Sequence, residues 1–302
     1  MLSYTVQIDF SPAYEMVGSF IIFCKKKWTK HLDIGSDWTK KTELRFEPSF
    51  LEAVDRIQSI QMLDLFYLWV WQSPEKSDTG KFLRWLDSLT EPELKDYLQP
   101  YTELLPEDLM EQTAHFSGLL AEWNRLYFTR LDKEMLMTLH HDYQLKSVLT
   151  AKMEPQKLVE LCTSGVILEP VEGLHHVILV PTIHFRPLNH YNCYRGLMIM
   201  HYSLDGPDPE EGDMPPVHLT RITRALSDPS RLQLLRYIVN EPKSFTEVVQ
   251  ESKLSKGTVH HHMMMLRAAG LVRIHIHGLQ ERFSFRTEGI AELKGFLEYY
   301  LE

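Results

Sequence analysis

The sequence predicts a mainly α, α+β protein: a mostly helical N-terminal domain with a small β-sheet, followed by a C-terminal winged helix-turn-helix. Three observations carry this. Apolar residues recur at helical spacing through most of the chain up to Thr163. The period then shortens at Val177-Ile178-Leu179-Val180, Ile183-His184-Phe185 and Gly196 to Tyr202, which read as strands. From Val217 onward, short helices alternate with capping and turn signals and lead into a hairpin and a last helix. Between these parts lies a run of Pro, Gly and acid without apolar periodicity. The expected division is therefore 1–203, a mostly helical domain with a small sheet; 204–216, a linker; and 217–302, a domain of short helices and a hairpin.

Taken in order, Tyr4 to Phe10 alternates as a strand. Ser11-Pro12 opens a helix to about Trp28, because Ser can cap free N–H groups and Pro is tolerated in the first turn. Further helices are predicted at Pro48 to Trp71, Gly80 to Leu89, Glu91 to Leu98, Pro106 to Ala151 (in at least two pieces) and Pro155 to Thr163. Met62 to Trp71 is the most apolar stretch. It is too short to span a bilayer and contains Asp64, so it reads as a buried helix and no membrane partner is expected. Trp28, Trp38, Phe66, Tyr67, Trp69, Trp71, Trp85 and Trp123 read first as packing core, with room for a small-molecule effector among them.

The C-terminal part is read residue by residue. Leu219, Ile222, Thr223 and Leu226 share one face of its first helix. Ser227-Asp228-Pro229 breaks that helix and starts a second. Ser244-Phe245-Thr246-Glu247 has capping-box spacing and opens a short helix to Ser252. Ser255 can cap the next helix, Lys256 to Ala269, and Gly270 can end it. Two short helices joined by such a turn make a helix-turn-helix. In the second, Val259, Met263 and Leu266 project to one side; Gly257, His261 and Met264 project to the other. Leu271 to Ile276 and Glu281 to Arg286 then form a hairpin, the wing.

Two stretches have a specific resemblance. Leu226-Ser227-Asp228-Pro229-Ser230-Arg231-Leu232-Gln233-Leu234-Leu235 resembles the opening of ArsR-type regulators. Leu254 to His262, with Leu266-Arg267-Ala268-Ala269-Gly270-Leu271-Val272, is similar to that family's recognition segment. The resemblance covers about 80 residues, in order and followed by a wing. It implies that Ser255 to Arg267 carries the DNA-reading residues and that the first and last helices of the domain form a dimer interface.

From these readings, Ser255, Lys256, Thr258, His260, His261, Met264 and Arg267 are expected at base edges or nearby phosphate. Arg273, His275, Arg282 and Arg286 are expected to hold the duplex from the wing. The partners expected are double-stranded DNA, a second copy of the chain and a small-molecule effector. The role expected is that of a repressor on a palindromic operator. Charge agrees: the net charge is −9, yet Val217 to Glu302 holds 12 Lys+Arg against 9 Asp+Glu and six of the fifteen histidines.

Other chemistries fit less well. Successive residues of a helix point about 100° apart, so His260-His261-His262 cannot converge on one ion. The resemblance would imply metal ligands as cysteines on the first helix of the motif or as His and acid pairs on the last helix; Phe245 to Ser252 has no Cys and Glu288 to Glu302 has no His, so no metal is expected. No nucleophile elbow or phosphate loop appears, and no cofactor or enzymatic activity is expected. An N-terminal enzyme or protein-interaction module targeted by the winged helix stays open as the alternative. The three cysteines are dispersed, and the N-terminus lacks a basic and apolar leader pattern, so a reduced, cytoplasmic protein is expected.

Overall fold

The structure is a computed structural model and describes residues 3–57, 61–103, 105–204 and 214–302. Most of the predicted linker lies outside the described residues. The chain forms two compact units, and neither is continuous in sequence. One contains Thr5–Val148 and Gly173–Leu204; the other contains residues 3–4, Leu149–Glu172 and 214–302 of the described chain.

In the first unit, β1 (Thr5–Ile8) leads into α1 (Pro12–Cys24). The Ser11 hydroxyl accepts from the Ala13 N–H at 3.0 Å, as the Ser-Pro signal predicts. After a 3-10 turn come α2 (Gly35–Glu43), α3 (Pro48–Asp55), α4 (Gln61–Gln72), α5 (Thr79–Asp87), α6 (Glu91–Leu98), α7 (Leu109–Leu126) and α8 (Lys133–Ser147). The predicted helix from Pro48 to Trp71 is thus two helices, and α2 has no counterpart in the sequence reading. Continuing along the chain, α9 (Pro155–Thr163) and β2 (Val166–Leu168) belong to the second unit. The first unit resumes with β3 (His176–Thr182), β4 (His190–Tyr194) and β5 (Leu197–Ser203).

These strands form a sheet of order β1-β3-β5-β4, parallel except for β4. Val177 to Thr182 are all buried, because α1 packs on one face of the sheet and α8 on the other. A doubly covered parallel strand loses the in–out alternation of a half-exposed one, which explains its unbroken apolar run. The core is aromatic: Trp123 lies 4.8 Å from Phe23 and stacks on Phe46 at 5.4 Å, and Trp69 and Tyr67 are fully buried.

Ile183-His184-Phe185 is a turn rather than a strand. The cause is Glu15. Its Oε1 accepts from the Ile183 and His184 N–H groups at 3.0 and 2.8 Å and lies 2.6 Å from His184 Nδ1; its Oε2 accepts from the Thr182 hydroxyl at 2.7 Å. Backbone donors spent on a carboxylate are not offered to a neighbouring strand. Burial would raise the Glu15 carboxyl, but the hydrogen bonds from His184 and Thr182 hold it below the usual range.

The second unit contains α9, β2, α10 (Val217–Leu226), α11 (Pro229–Tyr237), β6 (Lys243–Ser244), α12 (Phe245–Ser252), α13 (Lys256–Ala268), β7 (Val272–His277), β8 (Gln280–Phe285) and α14 (Glu288–Leu301). Its sheet has the order β2-β7-β8-β6. The wing hairpin β7–β8 closes at Gly278, whose φ of 59° suits glycine. Parallel pairing of β2 with β7 sets Val166 opposite Ile274 and Leu168 opposite Ile276. The sequence reading placed residues 149–172 in the N-terminal domain; here α9 and β2 pack with the C-terminal one. No helix among the described residues is long and apolar enough to cross a membrane.

Candidate nucleic-acid interface

The helix-turn-helix is built from local signals. At the start of α12, the Glu247 N–H donates to the Ser244 hydroxyl at 3.3 Å, while the Ser244 N–H donates to Glu247 Oε2 at 2.8 Å. This reciprocal pair satisfies two donors that a helix N-terminus leaves free. The hydroxyl and the Arg282 guanidinium beside it hold the Glu247 carboxyl below its ordinary range. Helix α12 ends at Lys253 in the left-handed region, φ 55°. Ser255 then caps α13, accepting from the Thr258 N–H at 3.1 Å.

Helix α13 has two faces. Val259, His262, Met263 and Leu266 are buried against the rest of the unit. Lys256, Gly257, Thr258, His260 and His261 are exposed; Met264 and Arg267 are half-buried. His262 is thus a packing residue. Burial lowers its imidazole below the usual histidine range, although the nearby Asp228 carboxylate acts in the opposite sense. At the other end of α13, Gly270 has φ 65°, and Gly289 of α14 lies so close that a Cβ there would come within 2.7 Å of the Gly270 carbonyl. His260 sits against Phe245 with ring centres 6.2 Å apart, and the Arg267 guanidinium lies 4.0 Å from the Met264 sulfur.

The wing departs from the expectation of four side chains held out to the duplex. Arg273 Nε donates to Glu160 Oε1 at 2.6 Å, and its other guanidinium nitrogens donate to Glu288 Oε1 at 2.5 Å and the Phe285 carbonyl at 3.3 Å. Arg286 is held by both oxygens of Glu292 and by the Gly270 carbonyl. With side chains only 19% and 11% exposed, both arginines are committed to internal carboxylates. A guanidinium that already satisfies two or three acceptors must break them before reaching phosphate, the role expected of both arginines. His275 is half-buried, with Nε2 2.8 Å from the Ser284 hydroxyl, and burial lowers its imidazole. Arg282 is 49% exposed and shared between the Pro242 carbonyl and Glu247. Of the four, it alone keeps half its surface.

Glu160, Glu288 and Glu292 are the residues the sequence reading missed. Their signal was present but long-range: three carboxylates on helices before and after the wing, which meet arginines only once the tertiary structure forms. Lys253, exposed at the turn into α13, was also missed. With Lys256 it places two cations at the N-terminal end of the exposed face, where the helix's own N–H groups favour an anion.

Residues 228–273 match the family model described as "Bacterial regulatory protein, arsR family". No curated protein matches the chain. Solved structures similar to it include an ArsR-like transcriptional regulator from Rhodococcus sp. RHA1, at 23% identity over 27% of this chain and 77% of that one, TM-score 0.26. NolR from Sinorhizobium fredii is 23% identical over 28% of this chain and 84% of its own, TM-score 0.23. A homodimeric winged helix-turn-helix DNA-binding domain from Mycobacterium bovis is 20% identical over 27% and 76%, TM-score 0.24. The family match falls on α11, α12, α13 and the first residues of β7, so the C-terminal segment of this chain carries a winged helix-turn-helix similar to those of the arsR family.

Proposed function

We propose that the protein is a transcription regulator that binds a palindromic DNA operator as a homodimer and acts as a repressor. One observation carries the reading: α13 is anchored by Val259, His262, Met263 and Leu266 and leaves Lys256, Thr258, His260 and His261 on a bare face. A helix so held fits a major groove, with polar side chains at base edges and its N-terminal end near phosphate. Ser255, Met264 and Arg267 flank that face. Arg282, Lys253 and Lys256 supply backbone attraction; Arg273, His275 and Arg286 instead fix the wing.

Dimerisation is supported by α14. Gly289 is its only buried residue, while Ile290, Leu297 and Leu301 are 45%, 43% and 74% exposed. His218 of α10 stacks on Phe296 at 5.0 Å, so the two helices present their apolar residues together. Covering that surface with its copy would place two α13 helices on one duplex. The first unit serves as the regulatory part. Selection from a random duplex pool by the full chain tests the reading: enrichment of one palindrome supports it, and an unenriched pool at low salt overturns it.

A further inference from the structure

The first unit contains a cleft of about 760 Å³ between α4, the start of α7 and β4. Met62, Leu65, Leu105 and Phe116 give it apolar walls, and Asp64 and Tyr194 also line it. The volume falls in the range of small-molecule sites, which combine apolar walls with a few placed polar groups.

Asp64 is unusual in this setting. Its Oδ1 is buried and has no hydrogen-bond partner among the described residues. The Tyr194 hydroxyl donates at 2.6 Å to the Asp64 backbone carbonyl, not to its carboxyl. Among the described residues, no Lys or Arg forms an ion pair with Asp64. Arg56, at the cleft, is 80% exposed and bound to Glu52, and His115 packs against Phe116. Burial pushes the Asp64 carboxyl up to about 6, against the smaller opposing effects of an Asn192 hydrogen bond and the Lys25 charge. A partly buried carboxylate with no cation in direct contact costs stability that an incoming cation can recover.

We propose that this cleft binds an organic cation: an ammonium on an apolar or aromatic body, its charge on Asp64 and its body against Leu65, Leu105 and Phe116. The aromatic rings of Phe116 and Tyr194 suit the same ligand, since their faces attract cations. A carboxylate ligand is disfavoured, because it would set a second negative charge beside Asp64. The inference concerns the first unit alone and stands whether or not the other unit binds DNA.

The test uses benzylammonium and its neutral counterpart benzyl alcohol, titrated calorimetrically into the full chain near pH 7.5. The wild-type protein is expected to bind benzylammonium at least about tenfold more tightly. Asp64→Asn keeps the shape and removes the charge; it should abolish that preference and leave benzyl alcohol affinity unchanged. Cys193 lines the same cleft and is exposed, so benzylammonium should slow its alkylation by N-ethylmaleimide in the wild-type chain, read by mass spectrometry. This readout needs no variant. No binding, equal affinity for the two probes, a preference that survives Asp64→Asn, or alkylation of Cys193 at an unchanged rate would each overturn the proposal.

Discussion

Arg273 on β7 donates from Nε to Glu160 on α9 at 2.6 Å, joining the wing to a helix more than a hundred residues earlier in the chain. The pair is half-buried, and Glu288 completes the arginine's environment. Burial would lower the guanidinium's proton affinity, but the two carboxylates raise it above its ordinary value. Arg273→Ala is expected to destabilise the second unit by about 1–2 kcal/mol, since it removes the partner of the part-buried Glu160 carboxylate. It should leave the salt dependence of DNA binding unchanged. Urea unfolding and a salt titration check both parts; a slope lowered by about one unit would mean that the arginine meets phosphate after all.

Leu168 of β2 is 1% exposed and sits opposite Ile276 of β7. Leu168→Ala should cost about 2–4 kcal/mol through the cavity it leaves. It should also speed hydrogen exchange of the β7 amides specifically, because β2 covers that edge of the wing sheet. Unchanged exchange on β7 would show that the β2 pairing adds nothing to the wing.

The contrast between α13 and the wing shows what could be read in advance. The two faces of α13, the Ser244–Glu247 box and the Ser255 cap depend on residues within four positions of one another, so spacing revealed them. The fate of Arg273 and Arg286 depends on Glu160, Glu288 and Glu292, and no local pattern says which of two exposed-looking charges will pair. The same holds for β2. Val166-Ile167-Leu168 is too short to register as a strand until β7 is beside it. Likewise Ile183 to Phe185 has strand composition, but the buried carboxylate of Glu15 captures its N–H groups.

His261 is exposed on the bare face of α13. His261→Ala should leave the melting temperature and circular dichroism unchanged and weaken binding to the selected operator by about 1–3 kcal/mol. Anisotropy titrations read this directly. Equal affinity would remove His261 from the contact surface.

Asp64 gives the first unit a defined pH response. A carboxyl raised in the folded state holds its proton more tightly there, so stability falls as pH rises from 3.8 through about 6. Asp64→Asn should therefore be more stable than wild type above pH 6, by about 2 kcal/mol, with the difference vanishing near pH 4. A variant less stable than wild type at pH 7.5 would contradict the desolvated state of this carboxylate.

His190 titrates with the opposite effect. Burial lowers its imidazole to about 4, and its ring stacks on Phe185 at 4.6 Å. The unfolded chain binds this proton more readily, so wild-type stability falls as pH drops from 6.5 toward 4. His190→Phe should keep the stack and flatten that acid limb in thermal melts between pH 7 and 4.5. A limb of unchanged steepness would show that other groups govern it.

The claim that the bare face of α13 reads a major groove is tested most directly by altering only that groove. Replacing guanine by 7-deazaguanine in the selected operator removes one major-groove acceptor and leaves the backbone charge intact. Wild-type affinity is expected to fall at least about tenfold at one or more positions, and His261→Ala or Lys256→Ala should be indifferent to the same replacement. An operator that tolerates every such replacement at full affinity would contradict the assignment of α13 as the reading helix.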